Sequence, residues 1–231
     1  MLLAADVTTL DHFLADKHGA VFALAGWSGS GKTTLVEQLV AHLVGLGYDI
    51  ATVKHAHHHF DADTPGKDSF RHRQAGSRQV LVSSAQRSAL FTEHADNDEP
   101  DLLDLLGQLA PADLVLVEGF KKYPIEKIEI FRPSVGKPRL YPQDDMVMAV
   151  ASDAQLDDCP LPVFDLSDIA AIANFIIVQT KLKRACETHD CGVSTASRRD
   201  PARERTRIAG RADDTTHRGE CATGRRLPRA R

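Results

Sequence analysis

Three observations predict an α/β domain with a mostly parallel sheet and helices on both faces. Short runs that are apolar throughout recur between residues 21 and 180, as strands buried on both faces require. Helical patterns separate several of these runs, which gives the crossovers that parallel neighbours need. One run ends in a glycine-rich turn that leads straight into a helix.

Val21 to Ala25 is the first buried strand, and Thr33 to Leu46 carries Leu35, Val36, Leu39, Val40, Leu43 and Leu46 at helical spacing, with Gly45 and Gly47 as stop signals. Asp49 to Lys54 reads as a second strand and Ser69 to Ala75 as a short helix. Gln79 to Ser83 and Ser88 to Thr92 flank a polar turn, as two strands do. Pro100 opens a leucine-rich helix reaching Leu109. Asp113 to Val117 is another buried strand, and Met146 to Val150 a further apolar run. Lys127 to Phe131 alternates polar and apolar residues, the pattern of a half-exposed strand, and is expected as an added antiparallel or dimer-forming strand. Leu161 to Phe164 and a helix from Ser167 to about Lys181 complete the domain.

The expected organisation is an N-terminal extension over residues 1–20, a nucleotide-binding domain over 21–182 and a disordered basic tail over 183–231. The tail lacks aromatic residues and apolar periodicity, so no packed core is expected there. Charge divides the same way. Residues 181–231 hold 14 Lys+Arg against 7 Asp+Glu, whereas the preceding 180 hold 14 against 25. An acidic body excludes a dedicated nucleic-acid or anionic-membrane surface there, since phosphate-rich partners require clustered positive charge. The four cysteines, Cys159, Cys186, Cys191 and Cys221, include no CxxC pair and suggest neither a disulfide framework nor a zinc site. Residues 1–20 carry Asp6, Asp11 and Asp16 and do not read as a secretory signal, and no apolar stretch approaches a membrane span. The cytoplasm is the expected compartment.

The strongest motif is Gly26-Trp27-Ser28-Gly29-Ser30-Gly31-Lys32-Thr33, a complete G-x-x-x-x-G-K-[ST] placed between strand and helix. The fold is therefore expected to be P-loop NTPase-like. Glycines allow successive backbone N–H groups to converge, and the following helix adds its positive end, so a polyphosphate is held without a large basic patch. Gly26, Ser28, Gly29, Ser30, Gly31, Lys32, Thr33 and Thr34 form the expected phosphate cradle. Lys32 is expected on the β- and γ-phosphates and Thr33 on Mg²⁺. Glu118, at the end of the strand 113–117, is the expected carboxylate for the Mg²⁺ or its water shell, because ligands of open α/β sheets bind at that edge. Lys32 and Glu118 are thus the catalytic candidates.

Residues 54–76 are dense in chemistry. His55, His57, His58 and His59 are either transition-metal ligands or solvated, anion-contacting side chains. Asp63 and Asp68 are candidate switch carboxylates, and Asp63 joins Thr33 and Glu118 as a possible metal ligand. Lys54, Lys67, Arg71 and Arg73 are candidate anion contacts or ordinary surface residues. The usual guanine reader Asn-Lys-x-Asp is missing, for Asn97 precedes Asp98 and Asn174 precedes Phe175. Ser152 and Asp153, at a strand end, are the candidate base-edge acceptors.

The P-loop, Lys54-His55, Pro65-Gly66-Lys67-Asp68-Ser69 with Arg71-His72-Arg73-Gln74-Ala75-Gly76, and Val117-Glu118-Gly119-Phe120-Lys121 together resemble the MobB family of molybdopterin-guanine dinucleotide biosynthesis adapter proteins. The resemblance spans about residues 20–178. It implies a weakly hydrolysing, Mg²⁺-dependent GTP-binding homodimer that assists the guanylyltransferase MobA in attaching GMP to molybdopterin. The histidine-rich loop then borders the site, where a pterin phosphate is a possible second ligand. The tail departs from the family pattern and is either a partner-binding extension or a reading-frame artefact. Rival classes are a metal-delivery GTPase of hydrogenase or urease maturation, a P-loop small-molecule kinase, and a pure adapter that binds nucleotide only to change shape. The first usually keeps cysteines near the nucleotide, and here none precedes Cys159.

Overall fold

The computed structural model describes residues 17–56, 60–94 and 99–183. The extension up to residue 16 and the tail from residue 184 lie outside the described residues.

Among the described residues eight strands and four α-helices follow in the order β1 (Val21–Ala25), α1 (Lys32–Gly45), β2 (Ile50–Lys54), α2 (Asp68–Gln74), β3 (Gln79–Ser83), β4 (Ser88–Thr92), α3 (Leu102–Gln108), β5 (Leu114–Glu118), β6 (Lys127–Phe131), β7 (Val147–Ser152), β8 (Val163–Asp165) and α4 (Ile169–Gln179). Six strands form one sheet in the order β2-β5-β1-β6-β7-β8, and each neighbouring pair is parallel. β3 and β4 form a separate antiparallel pair.

Period-two alternation divides the central strands between two cores. Phe22, Leu24, Leu114 and Leu116 face Leu35, Leu39 and Leu43 of α1 and Ile172, Ala173 and Ile176 of α4. Val21, Ala23, Val115 and Val117 face Leu102 and Leu106 of α3. Helices thus cover both faces, as expected. Asp101 and Asp168 start α3 and α4 by accepting from the backbone N–H of Leu103 and Ala171 at 2.8 and 3.0 Å. Gly47, with φ of 91°, ends α1, while Gly45 stays inside the helix.

β6 corrects the expectation of an added antiparallel or dimer-forming strand. It lies between β1 and β7, parallel to both, and Lys127 and Glu129 are 1% and 0% exposed. Ile128 and Ile130 join the helix-covered core, whereas Lys127 and Glu129 on the opposite face meet the connections around residues 121–123 and 140–144. Its two charges hold those segments. The Lys127 ammonium donates to the carbonyls of Lys121 and Tyr123 at 3.0 and 2.9 Å and to Asp144 at 2.8 Å. The Glu129 carboxylate accepts from the N–H groups of Leu140 and Tyr141 at 2.8 and 3.0 Å. The polar alternation therefore signals anchored loops instead of solvent.

Burial raises the Glu129 pKa above its ordinary value of 4.5, and the two backbone donors only partly oppose it. The folded protein consequently binds this proton more tightly than the unfolded chain. Stability from this group is complete below the unfolded pKa and declines as pH rises through the folded one. Relative to Glu129→Gln, the native protein is expected to gain stability as pH falls from 7 toward 4.5. Urea unfolding of both proteins at several pH values checks this, and a relative loss on acidification would contradict it.

Candidate functional site

Because all six strands of the main sheet are parallel, their carboxyl ends share one edge. That edge collects His55 after β2, Glu118 and Gly119 at β5, the Gly26–Thr33 loop after β1, Arg132 after β6, Asp153 after β7 and Asp165 at β8.

The loop demands glycine at two closely packed points. Gly26 has φ of 155°, and a Cβ there would lie 2.6 Å from the Ile130 carbonyl oxygen. Gly31, at φ 95°, precedes α1 and would press a Cβ against the Arg132 guanidinium at 3.2 Å. The first-turn N–H groups of α1 have no intrahelical acceptor, by helix geometry, and so can donate to an anion. Lys32 donates from Nζ to the Trp27 carbonyl at 2.8 Å. Desolvation holds its pKa below the ordinary lysine value, with Glu118 opposing and Lys121 and Lys54 reinforcing. A ligand bringing negative charge relieves that penalty.

Glu118 is nearly buried and accepts from Thr33 Oγ1 at 2.8 Å. Lys54 Nζ sits 3.4 Å from Glu118 Oε2 and 3.2 Å from Thr33 Oγ1. A cation thus already bridges the two oxygens that the sequence assigns to Mg²⁺, which fits an ion that uses one carboxylate, phosphates and waters. Among the described residues no group of three His, Cys, Asp or Glu could hold a metal unaided. The loop, Lys54, His55, Glu118, Gly119 and Lys121 line a cleft of about 610 Å³. Gly119 is required there, because at φ 103° an added Cβ would lie 2.7 Å from His55 Cβ.

Asp63 is not brought to this cleft. Its side chain accepts from Ser69 Oγ at 2.8 Å and from Arg73 Nε at 3.2 Å, and it is 5% exposed. Arg73 also pairs with Asp61 and Glu93 at 2.7 and 2.8 Å and lies over the Phe70 and Phe91 rings. The residues around 61–73 therefore fasten this loop to β4, with Asp63 and Arg73 bound to each other. Asp68 and Arg71 form an exposed pair at 3.8 Å. His55 pairs with Glu99 and packs on Phe120 with ring centroids 4.8 Å apart, while His57, His58 and His59 lie outside the described residues.

Of the two proposed base acceptors, Ser152 is buried and its Oγ accepts from Ala154 N–H at 3.2 Å. Asp153 does reach a second cleft of about 380 Å³, shared with Gly31, Thr34, Gln38, Arg132 and Asp165. Arg132, Gln38 and Asp165 escaped the sequence reading. Taking 127–131 for an added antiparallel strand removed Arg132 from the carboxyl edge, and only its place immediately after a strand could have signalled it.

The family model described as Molybdopterin guanine dinucleotide synthesis protein B matches residues 21–153. The chain belongs to the MobB family. It is 42% identical over 160 residues to the molybdopterin-guanine dinucleotide biosynthesis adapter protein of Escherichia coli, covering 68% of this chain and 91% of that one. The Haemophilus influenzae adapter protein is 41% identical over 159 residues, covering 68% and 86% respectively. Among solved structures, the Bacillus subtilis MobB superposes with a TM-score of 0.55 at 25% identity, over 71% of this chain and 98% of that one. A Bacillus stearothermophilus MobB homologue gives 0.53 at 26%, over 70% and 97%. The MobB match thus ends at Asp153, so it takes in the P-loop, Glu118 and Arg132. Among the described residues no helix is long and apolar enough to cross a membrane.

Proposed function

We propose that this MobB-family chain is an adapter of molybdopterin-guanine dinucleotide biosynthesis that binds Mg·GTP and assists a MobA-like guanylyltransferase. The observation that carries the nucleotide reading is the Thr33–Glu118 pair, joined at 2.8 Å beneath the glycine loop and bridged by Lys54. The names of the Escherichia coli and Haemophilus influenzae relatives support the pathway. Gly26 to Gly31 hold the phosphates through backbone donors, Lys32 adds charge, and Thr34, in the first turn of α1, extends the cradle. Thr33 and Glu118 hold Mg²⁺, which neutralises charge on the β- and γ-phosphates when bound.

Hydrolysis is weak on this reading. Among the described residues lining the cleft between the loop and Glu118 there is no arginine, and the carboxylate there, Glu118, is engaged by Thr33 and Lys54. Lys121, 4.2 Å above the Trp27 ring, offers charge for a second anionic ligand such as a pterin phosphate. A homodimer is supported by the β3–β4 pair, which is too small for stability alone and leaves Leu81 and Leu90 67% and 50% exposed.

Calorimetric titration with GTP and with ATP, with and without Mg²⁺, tests the reading. GTP is expected to bind more tightly, and Mg²⁺ to strengthen it. Glu118→Gln is expected to leave metal-free binding intact while reducing the Mg²⁺-dependent gain about tenfold. An unchanged magnesium dependence would remove Glu118 from the metal site, and ATP preference would favour a kinase.

A further inference from the structure

We infer that Arg132 and Asp153 act together as the guanine-selecting element of this chain, with Arg132 reading the base carbonyl. The inference rests on the proposed nucleotide site and adds a specificity residue to it.

Topology places the two groups. β6 and β7 are the first and second strands beyond β1 on one side, so Arg132 and Asp153 stand at adjacent strand ends. Their cleft shares Gly31 and Thr34 with the phosphate loop, and therefore begins where the cradle ends. A nucleotide with its phosphates in the loop has this cleft within reach of its base.

Arg132 is poorly satisfied where it stands. Its Nη1 lies 3.6 Å from Asp153 Oδ2, longer than a hydrogen bond, and its buried Nε has no partner among the described residues. A guanidinium carries five donors in a rigid fork, and leaving buried ones unmade is costly. The neighbouring carboxylate, Asp165, is committed to Ser167, whose N–H and Oγ donate to it at 2.8 and 2.6 Å. Asp153 remains as the acceptor that can turn to a ligand.

This pair matches guanine and opposes adenine. Guanine presents the O6 acceptor beside its N1–H and 2-amino donors, so the guanidinium takes O6 while the carboxylate takes the two donors. Adenine reverses both positions, setting its 6-amino donor against Arg132 and its N1 acceptor against Asp153. Two mismatched pairs then disfavour it, at side chains 38% and 42% exposed. No Asn-Lys-x-Asp is required.

Titration calorimetry with Mg·GTP, Mg·ATP and Mg·XTP tests the inference on the full chain, with Lys32→Ala as control. Arg132→Leu is expected to weaken GTP about tenfold or more while changing ATP less than about twofold, so that the preference collapses. Arg132→Lys, which keeps the charge but loses the fork, is expected to fall between. Asp153→Asn is expected to weaken GTP and strengthen XTP, whose 2-carbonyl accepts from the new amide. Equal losses for GTP and ATP in Arg132→Leu would make it a phosphate ligand, and an unchanged ratio in both arginine variants would also overturn the inference. If Lys32→Ala abolishes binding of every triphosphate while the Arg132 and Asp153 variants leave the ratio intact, only the inference fails. If Lys32→Ala binds GTP normally, the nucleotide site itself is wrong.

Discussion

Replacing Lys32 with alanine is expected to weaken Mg·GTP binding by about a hundredfold, close to abolition in calorimetry, and to leave the unliganded fold intact. The ammonium lines the cleft and, among the described residues, has one hydrogen-bond acceptor, the Trp27 carbonyl at 2.8 Å. Removing it frees an acceptor on a partly exposed loop, so the stability cost is small. The loss to the ligand is large, because Lys32 delivers its charge to the bound phosphates and is partly desolvated beforehand. Circular dichroism and thermal unfolding check the fold. Retained GTP affinity would remove the loop from nucleotide binding.

Lys127→Met is expected to destabilise the protein by about 3 kcal/mol, within the range seen when one member of a buried charge pair is removed. Lys127 is 1% exposed, and its ammonium serves two carbonyls and Asp144. Methionine matches the stem but removes the ammonium donor from all three oxygens, of which the Tyr123 carbonyl keeps the Ile125 N–H at 2.9 Å. Asp144 is 24% exposed, which lets water recover part of the loss and keeps the effect near the lower end. The same change loosens the segment carrying Lys121, so nucleotide affinity is expected to fall with stability. Urea unfolding and calorimetry read the two effects, and a variant within about 1 kcal/mol of native would show that the loops hold without Lys127.

Those two side chains mark different levels of legibility. The place of Lys32 in the fold is readable because its motif is contiguous: glycines, lysine and threonine lie in one local loop, and the flanking strand and helix announce themselves by apolar spacing. Glu118 is readable for a similar reason, being the first residue past the core of an apolar strand. β3 and β4, and β6 as a strand, appear at their expected bounds. What β6 does was misread, since alternation of polar and apolar residues distinguishes two faces without saying whether water or a loop covers the polar one.

Asp63 shows the same limit in the site. Its carboxylate type and its position near the second strand are compatible with a metal, yet Ser69 and Arg73 take up its oxygens. In this loop Arg73 joins Asp61, Asp63 and Glu93, three carboxylates that are separated from it in the chain.

By itself, then, the sequence determined the α/β class, the glycine-rich loop between β1 and α1 and the carboxylate that faces it, because each depends on residues adjacent in the chain or on the period of one element. Tertiary structure alone decided that β6 is central, that Lys127 and Glu129 are buried, and that Arg132 meets Asp153 at 3.6 Å. Strand order and loop cover are set by pairing between distant segments, whose geometry leaves no periodic trace in the residues that take part.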